Sequence, residues 1–123
     1  MDKKIRISIG EDVFRAVLNN SRLAGLIWET LPVTVPFQMW GEEIYFPIPV
    51  REEGMENPVE TVNAGDLGYW PEGSCFCIFY GLTPISSPGK IKPASAVEVI
   101  GQVEDPEAFK QVQRPGKVTI ERE

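Results

Sequence analysis

Ser74-Cys75-Phe76-Cys77-Ile78-Phe79-Tyr80 is the most apolar run in the chain. It follows the turn sequence Pro71-Glu72-Gly73 and is too short for a typical helix, so it reads as a strand buried on both faces at the centre of a sheet. Short strands are expected before it at Val59–Asn63 and Leu67–Trp70, around the turn Ala64-Gly65-Asp66. After it, 82–95 is the longest irregular stretch, punctuated by Pro84, Pro88, Gly89 and Pro93. Loops of that length inside small domains are often functional. A strand at 96–103 follows, then a brief helix at 106–112 with Asp105 as N-cap and Pro106 at its first position, and a last strand at 117–121.

The first half of the chain is equally segmented. Lys4-Ile5-Arg6-Ile7-Ser8-Ile9 alternates strictly, the period of a strand with one buried face. Gly10-Glu11-Asp12 turns into a second strand at 13–18, so the chain opens with a hairpin. Leu23, Ile27 and Leu31, with Leu26 beside them, make one apolar stripe after the capping residues Asn19, Asn20 and Ser21, and Pro32 ends it. That predicts a helix over 21–31. Val33, Val35 and Phe37 restore period 2 ahead of Trp40-Gly41, and the prolines of the next strand, 43–50, suit an edge or a bulge. A charged loop, 51–58, ends this half. The sum is about eight strands, one longer and one short helix, and no internal repeat. A small closed all-β barrel fits, because closure removes sheet edges and helices can cover its ends.

Composition narrows the function. With 123 residues, one domain over 1–123 is expected, and eleven glycines and eleven prolines exceed the ordinary share of about 12%, which reads as dense turns. No apolar run approaches the roughly 20 residues of a membrane-spanning helix, and Met1-Asp2-Lys3-Lys4 is not followed by a signal-peptide segment. A net charge of −6 argues against nucleic acid as a partner. The absence of histidine removes Ser-His and Cys-His nucleophile pairs and any His metal ligand. Cys75 and Cys77, about 6.6 Å apart if on a strand, sit near the limit for a disulfide, so free thiols and a cytoplasmic location are expected. No metal site and no cofactor is implied.

The order of Gly65-Asp66-Leu67-Gly68-Tyr69-Trp70, Ser74-Cys75-Phe76-Cys77-Ile78 and Ala96-Val97-Glu98-Val99-Ile100-Gly101-Gln102-Val103, then Gly116-Lys117-Val118-Thr119-Ile120, resembles the closing half of a cyclophilin. With Trp40-Gly41-Glu42-Glu43-Ile44-Tyr45-Phe46 and Lys92-Pro93-Ala94-Ser95-Ala96, the whole chain is similar to a family of small prokaryotic cyclophilin-like proteins, which are not established as isomerases. The resemblance implies a cyclophilin-like barrel. It also implies an isomerase site built on a strand arginine that hydrogen-bonds the prolyl amide, with a Phe- and Met-lined pocket and a Gln, Trp and His nearby. Against that pattern Cys75 takes the glutamine-like place, Cys77 an aromatic place, and Val97 or its neighbour the place of the histidine. The strand 43–50 has no arginine, and Arg51 lies only at its far end. A barrier of about 20 kcal/mol is hard to lower without an aimed donor.

The groove candidates are Trp40, Tyr45, Arg51, Trp70, Cys75, Cys77 and Phe79. Strand periodicity makes Tyr45 and Phe46 point oppositely, as do Tyr69 and Trp70, and Phe79 and Tyr80, so at least half of these aromatics are core. The two thiols read as buried, inert hydrophobes. Glu42, Glu43, Glu52, Glu53 and Glu56 read as solvated surface charge. Ser86, Ser87 and Ser95 would need Lys90 or Lys92 as a base, which an exposed loop does not favour. The leading expectation is a protein that binds a peptide or small molecule in a groove on the barrel. The alternatives are a weak or altered peptidyl-prolyl isomerase using Arg51, and a structural or homodimeric interaction module.

Overall fold

In the computed structural model, which describes residues 3–51 and 54–123, the alternating start of the chain forms the expected hairpin. Strands β1 (Lys3–Ile9) and β2 (Asp12–Leu18) pair antiparallel from Lys3 opposite Leu18 to Ile9 opposite Asp12, and Gly10 turns at a φ of 60°. Ile5, Ile7, Phe14, Ala16 and Leu18 all face the core. Helix α1 (Arg22–Thr30) follows, with the Ser21 hydroxyl accepting from the Ala24 N–H as N-cap, and Leu23, Ala24 and Ile27 buried. Its residues 23 and 27 are the apolar stripe read from the sequence.

The remaining strands are β3 (Val33–Pro36), β4 (Gln38–Met39), β5 (Glu43–Pro47), β6 (Pro58–Val59), β7 (Asp66–Trp70), β8 (Cys75–Phe79), β9 (Val97–Val103) and β10 (Lys117–Arg122). They form one antiparallel sheet in the order β3-β10-β1-β2-β9-β7-β8-β5-β4, with β6 attached to β9. The two ends of that order, β3 and β4, are consecutive in the chain. Residues 33–36 pair with β10 and residues 38–39 pair with β5, while the Phe37 N–H donates to the Gly116 carbonyl at 2.9 Å. One segment kinked at Phe37 thus closes the barrel almost completely and covers both edges.

The described residues contain ten strands where about eight were expected. The excess is physical: the kink at Phe37 divides one strand into two, and Pro58 opens a pairing of only two residues. The expected strand 59–63 reduces to β6 and an isolated bridge between Val62 and Ile91. The expected strand 43–50 stops at Pro47, because Pro47 and Pro49 have no N–H to give a ladder. The second helix is a 3₁₀ helix, Pro106–Gln111, and the Asp105 side chain makes no capping bond to it. Phe109 of this helix is fully buried and stacks on Phe14, with ring centroids 3.9 Å apart, and on Tyr80 at 5.9 Å. It plugs one end of the barrel, while α1 packs at the end where β2 finishes.

Alternation sorts the aromatic pairs as the period demands. Phe46, Tyr69, Phe76 and Tyr80 belong to the barrel interior. Tyr45, Trp70, Cys75, Cys77 and Phe79 face outward, into a second small cluster with Val62, Ile91 and Val97. Gly68 sits between them on that outer face, where a Cβ would stand 3.1 Å from the Phe79 ring and 3.3 Å from Val97. Strand β8 is therefore buried on both sides, by the barrel within and by the 82–96 segment without. No helix among the described residues is long and apolar enough to cross a membrane.

Candidate functional site

The outer face of β5, β7 and β8 is only partly roofed. Between it and the 82–96 segment lies a cleft of about 160 Å³, lined by Trp40, Tyr45, Trp70, Pro93, Ala94 and Val97, with Glu43 the single charged side chain in the lining. The three aromatic residues are half-buried, as a pocket wall requires. Each is positioned by simple local chemistry. Trp40 and Glu43 exchange backbone hydrogen bonds across a tight turn at 2.9 and 3.2 Å. Gly41 makes that turn at a φ of 60°, and a Cβ there would lie 2.8 Å from the Leu82 carbonyl oxygen. Tyr45 stands two residues on from Glu43, opposite Cys77, and so on the same face.

Trp70 is tied to the loop. Its indole N–H donates to the Ser95 hydroxyl at 2.6 Å, and that hydroxyl donates to Glu72 Oε1 at 2.7 Å. The relay fixes both the indole and the Pro93-Ala94 wall. Ser95→Ala should therefore cost about 1 kcal/mol and speed solvent exchange of the Trp70 indole proton. Unchanged exchange in an NMR saturation-transfer measurement would show that the relay does not hold the wall.

Glu43 was expected to be a solvated surface charge; it is instead only 6% exposed. Alternation explains the correction, since a strand residue two before Tyr45 must share its outer, loop-covered face whatever its polarity. Two other acids are buried nearby in the chain's fold, and both accept from amides: Asp66 from the Asn63 N–H at 2.9 Å and from Gln102, and Glu98 from the Glu56 N–H at 2.8 Å. Glu43 meets the thiol of Cys77, a weak donor, and makes no ion pair among the described residues. Burial pushes its carboxyl from the usual 4.5 up to about 7, partly offset by the Cys77 hydrogen bond. The two thiols are pushed up in turn, first by burial and then by the Glu43 charge. Both cysteines are free and buried, as read from the sequence.

Of the seven groove candidates, the structure brings Trp40, Tyr45 and Trp70 together in the cleft. Cys75, Cys77 and Phe79 do not line it; they pack in the second cluster, and Phe79 is fully buried. Arg51 is exposed and edges a different depression, with Leu26, Glu29, Thr30, Pro49 and Val50. The prolines that stop β5 at Pro47 carry the chain away before residue 51. Among the serines, Ser86 Oγ accepts from the Thr83 and Lys92 backbone N–H groups and so knots the loop. Lys90 and Lys92 are exposed and outside the cleft lining. Glu52 and Glu53 lie outside the described residues. Glu43 is the functional candidate that sequence reasoning missed, and its only signal was its register with Tyr45.

A nearly closed antiparallel barrel with a ligand-sized cleft on its outer sheet face defines a cyclophilin-type architecture. The family model described as Cyclophilin-like matches residues 3–121, and the chain belongs to that family. A hypothetical protein from Archaeoglobus fulgidus, solved in solution, is 34% identical over 99% of this chain and 95% of its own, with a TM-score of 0.82. No curated protein matches the chain.

Proposed function

We propose that this cyclophilin-fold protein binds a small organic molecule non-covalently in the outer-face cleft. The observation that carries this reading is the juxtaposition of Trp40, Tyr45 and Trp70 around a 160 Å³ space that holds one buried carboxyl. Apolar, aromatic lining with few convergent polar groups is the usual character of a ligand site. The volume suits a molecule of about benzene size, since an apolar cavity of about 150 Å³ accepts benzene. It equally suits a single side chain of an extended peptide. The isomerase alternative gains no support from Arg51, which is exposed in a separate depression.

The three tryptophans make the test direct. Trp40 and Trp70 line the cleft, whereas Trp28 lies under the Arg122 guanidinium, 4.8 Å from its ring centroid. In a fragment and proline-peptide screen by ¹⁵N–¹H NMR, ligands should shift the indole resonances of Trp40 and Trp70 and leave Trp28 in place. A ligand held at 100 times its Kd should add about 2.7 kcal/mol of stability. Ala94→Trp, which fills the cleft, should abolish both effects. A screen in which no compound moves Trp40 or Trp70 would refute the reading.

A further inference from the structure

The cleft's lining combines two features that point to one class of ligand. Three electron-rich rings, Trp40, Tyr45 and Trp70, border the space, and a cation within about 6 Å of such ring faces is attracted to them. The Glu43 carboxyl shares the same wall, nine-tenths buried and beside the Cys77 thiol. An ionised carboxylate in an apolar wall is costly unless it is paired. Among the described residues, no lysine or arginine lines the cleft to pair it.

The surroundings are consistent from every side. The neighbouring titratable groups are Glu42 just before β5 and Tyr45 on it, and on β8 they are the thiols of Cys75 and Cys77. From β7 and β9 come Trp70 and Val97, neither charged at neutral pH. The 82–96 segment presents Pro93 and Ala94 and turns Lys90 and Lys92 to solvent. The chain as a whole carries a net charge of −6, which favours approach of a cation over an anion.

Building on the binding reading above, we infer that the cleft selects a small alkylammonium ion, its body against the Trp40, Tyr45 and Trp70 rings and its charge on the Glu43 carboxylate. The geometry thereby assigns Glu43 as the residue that sets charge specificity. Because burial pushes that carboxyl up to about 7, a cation should draw off its proton on binding, and affinity should rise with pH. When only the ionised form is competent, the apparent affinity scales with its fraction.

The test uses probes that differ only in charge. Choline and its carbon isostere 3,3-dimethylbutan-1-ol share one shape, and n-butylammonium and n-butanol form a second pair. Each is titrated against the full chain, with the Trp40 and Trp70 indole resonances as readout. At least one cation should bind tenfold or more tightly than its neutral isostere at pH 8. Its Kd should rise about thirtyfold at pH 5.5, and Glu43→Gln should remove most of the cation's preference over the neutral isostere. Neutral isosteres that bind as well as both cations would overturn the charge assignment and leave the binding reading standing. A preference undiminished in Glu43→Gln would overturn the role of Glu43. Failure of all four probes to shift either indole, with the fragment screen also blank, would remove the binding reading itself.

Discussion

Glu43→Gln should be more stable than the parent at pH 8 by about 3 kcal/mol, and the two should converge near pH 4. The magnitude follows from a carboxyl whose value rises from 4.5 unfolded to about 7 folded, at 1.36 kcal/mol per unit. Between those values the folded chain holds a proton that the unfolded chain has released. The native state is therefore favoured below about 4.5, and that advantage is lost as pH rises through 7. The amide is nearly the shape of the protonated acid but cannot ionise, so it escapes the loss. Other carboxylates titrate alike in both proteins and cancel in the difference. Urea denaturation at pH 4.5, 6, 7 and 8 measures it directly, and parallel stability curves would show that Glu43 is not held in a desolvated wall. Such a variant, more stable at pH 8, would show that burying this carboxyl comes at a cost to the fold.

Phe109→Ala should cost about 4 kcal/mol in urea denaturation. The ring is fully buried and stacked between Phe14 and Tyr80 on a short 3₁₀ helix that closes one end of the barrel. Deleting a buried phenylalanine side chain typically costs 3–5 kcal/mol in lost transfer energy and residual cavity, and the ring stack adds to it. A six-residue helix tied by few bonds of its own is held in place chiefly by this side chain. Against typical domain stabilities of about 5–15 kcal/mol, the variant would remain folded but marginal. Phe109→Leu, which keeps most of the apolar volume, should lose far less. A loss below about 1.5 kcal/mol in the alanine variant would mean that the barrel end closes without its plug.

The placement of Glu43 and Phe109 separates what alternation alone can convey from what it cannot. Alternation from Lys4 to Ile9, the apolar run at 74–80 and the capped stripe after Ser21 each specified one local element, and each formed. They succeed because side-chain direction along a strand or helix depends on the backbone period, a local property. The same rule sent Tyr45, Trp70 and Phe79 to one face and Phe46, Tyr69 and Tyr80 to the other. Turn chemistry at the prolines was harder to read, so 43–50 and 59–63 came out shorter than their composition suggested. The site was legible only in part. Trp40, Tyr45 and Trp70 could be nominated as aromatics on or beside strands, but which of them meet depends on the β5–β8–β7 register and on how the 82–96 segment lies over it.

The amino-acid sequence by itself determined the class of fold, the position of its central strand, the two-faced sorting of its aromatics and the absence of histidine chemistry. Only the tertiary structure decided that Glu43 is buried and Arg51 is not, that Phe79 lies under the loop and out of the cleft, and that residues 33–39 join both ends of the sheet. The physical reason is the same in each case. Periodicity fixes which way a side chain points, whereas burial, pairing and pKa depend on what a distant segment brings against it, and that is settled only when the barrel closes.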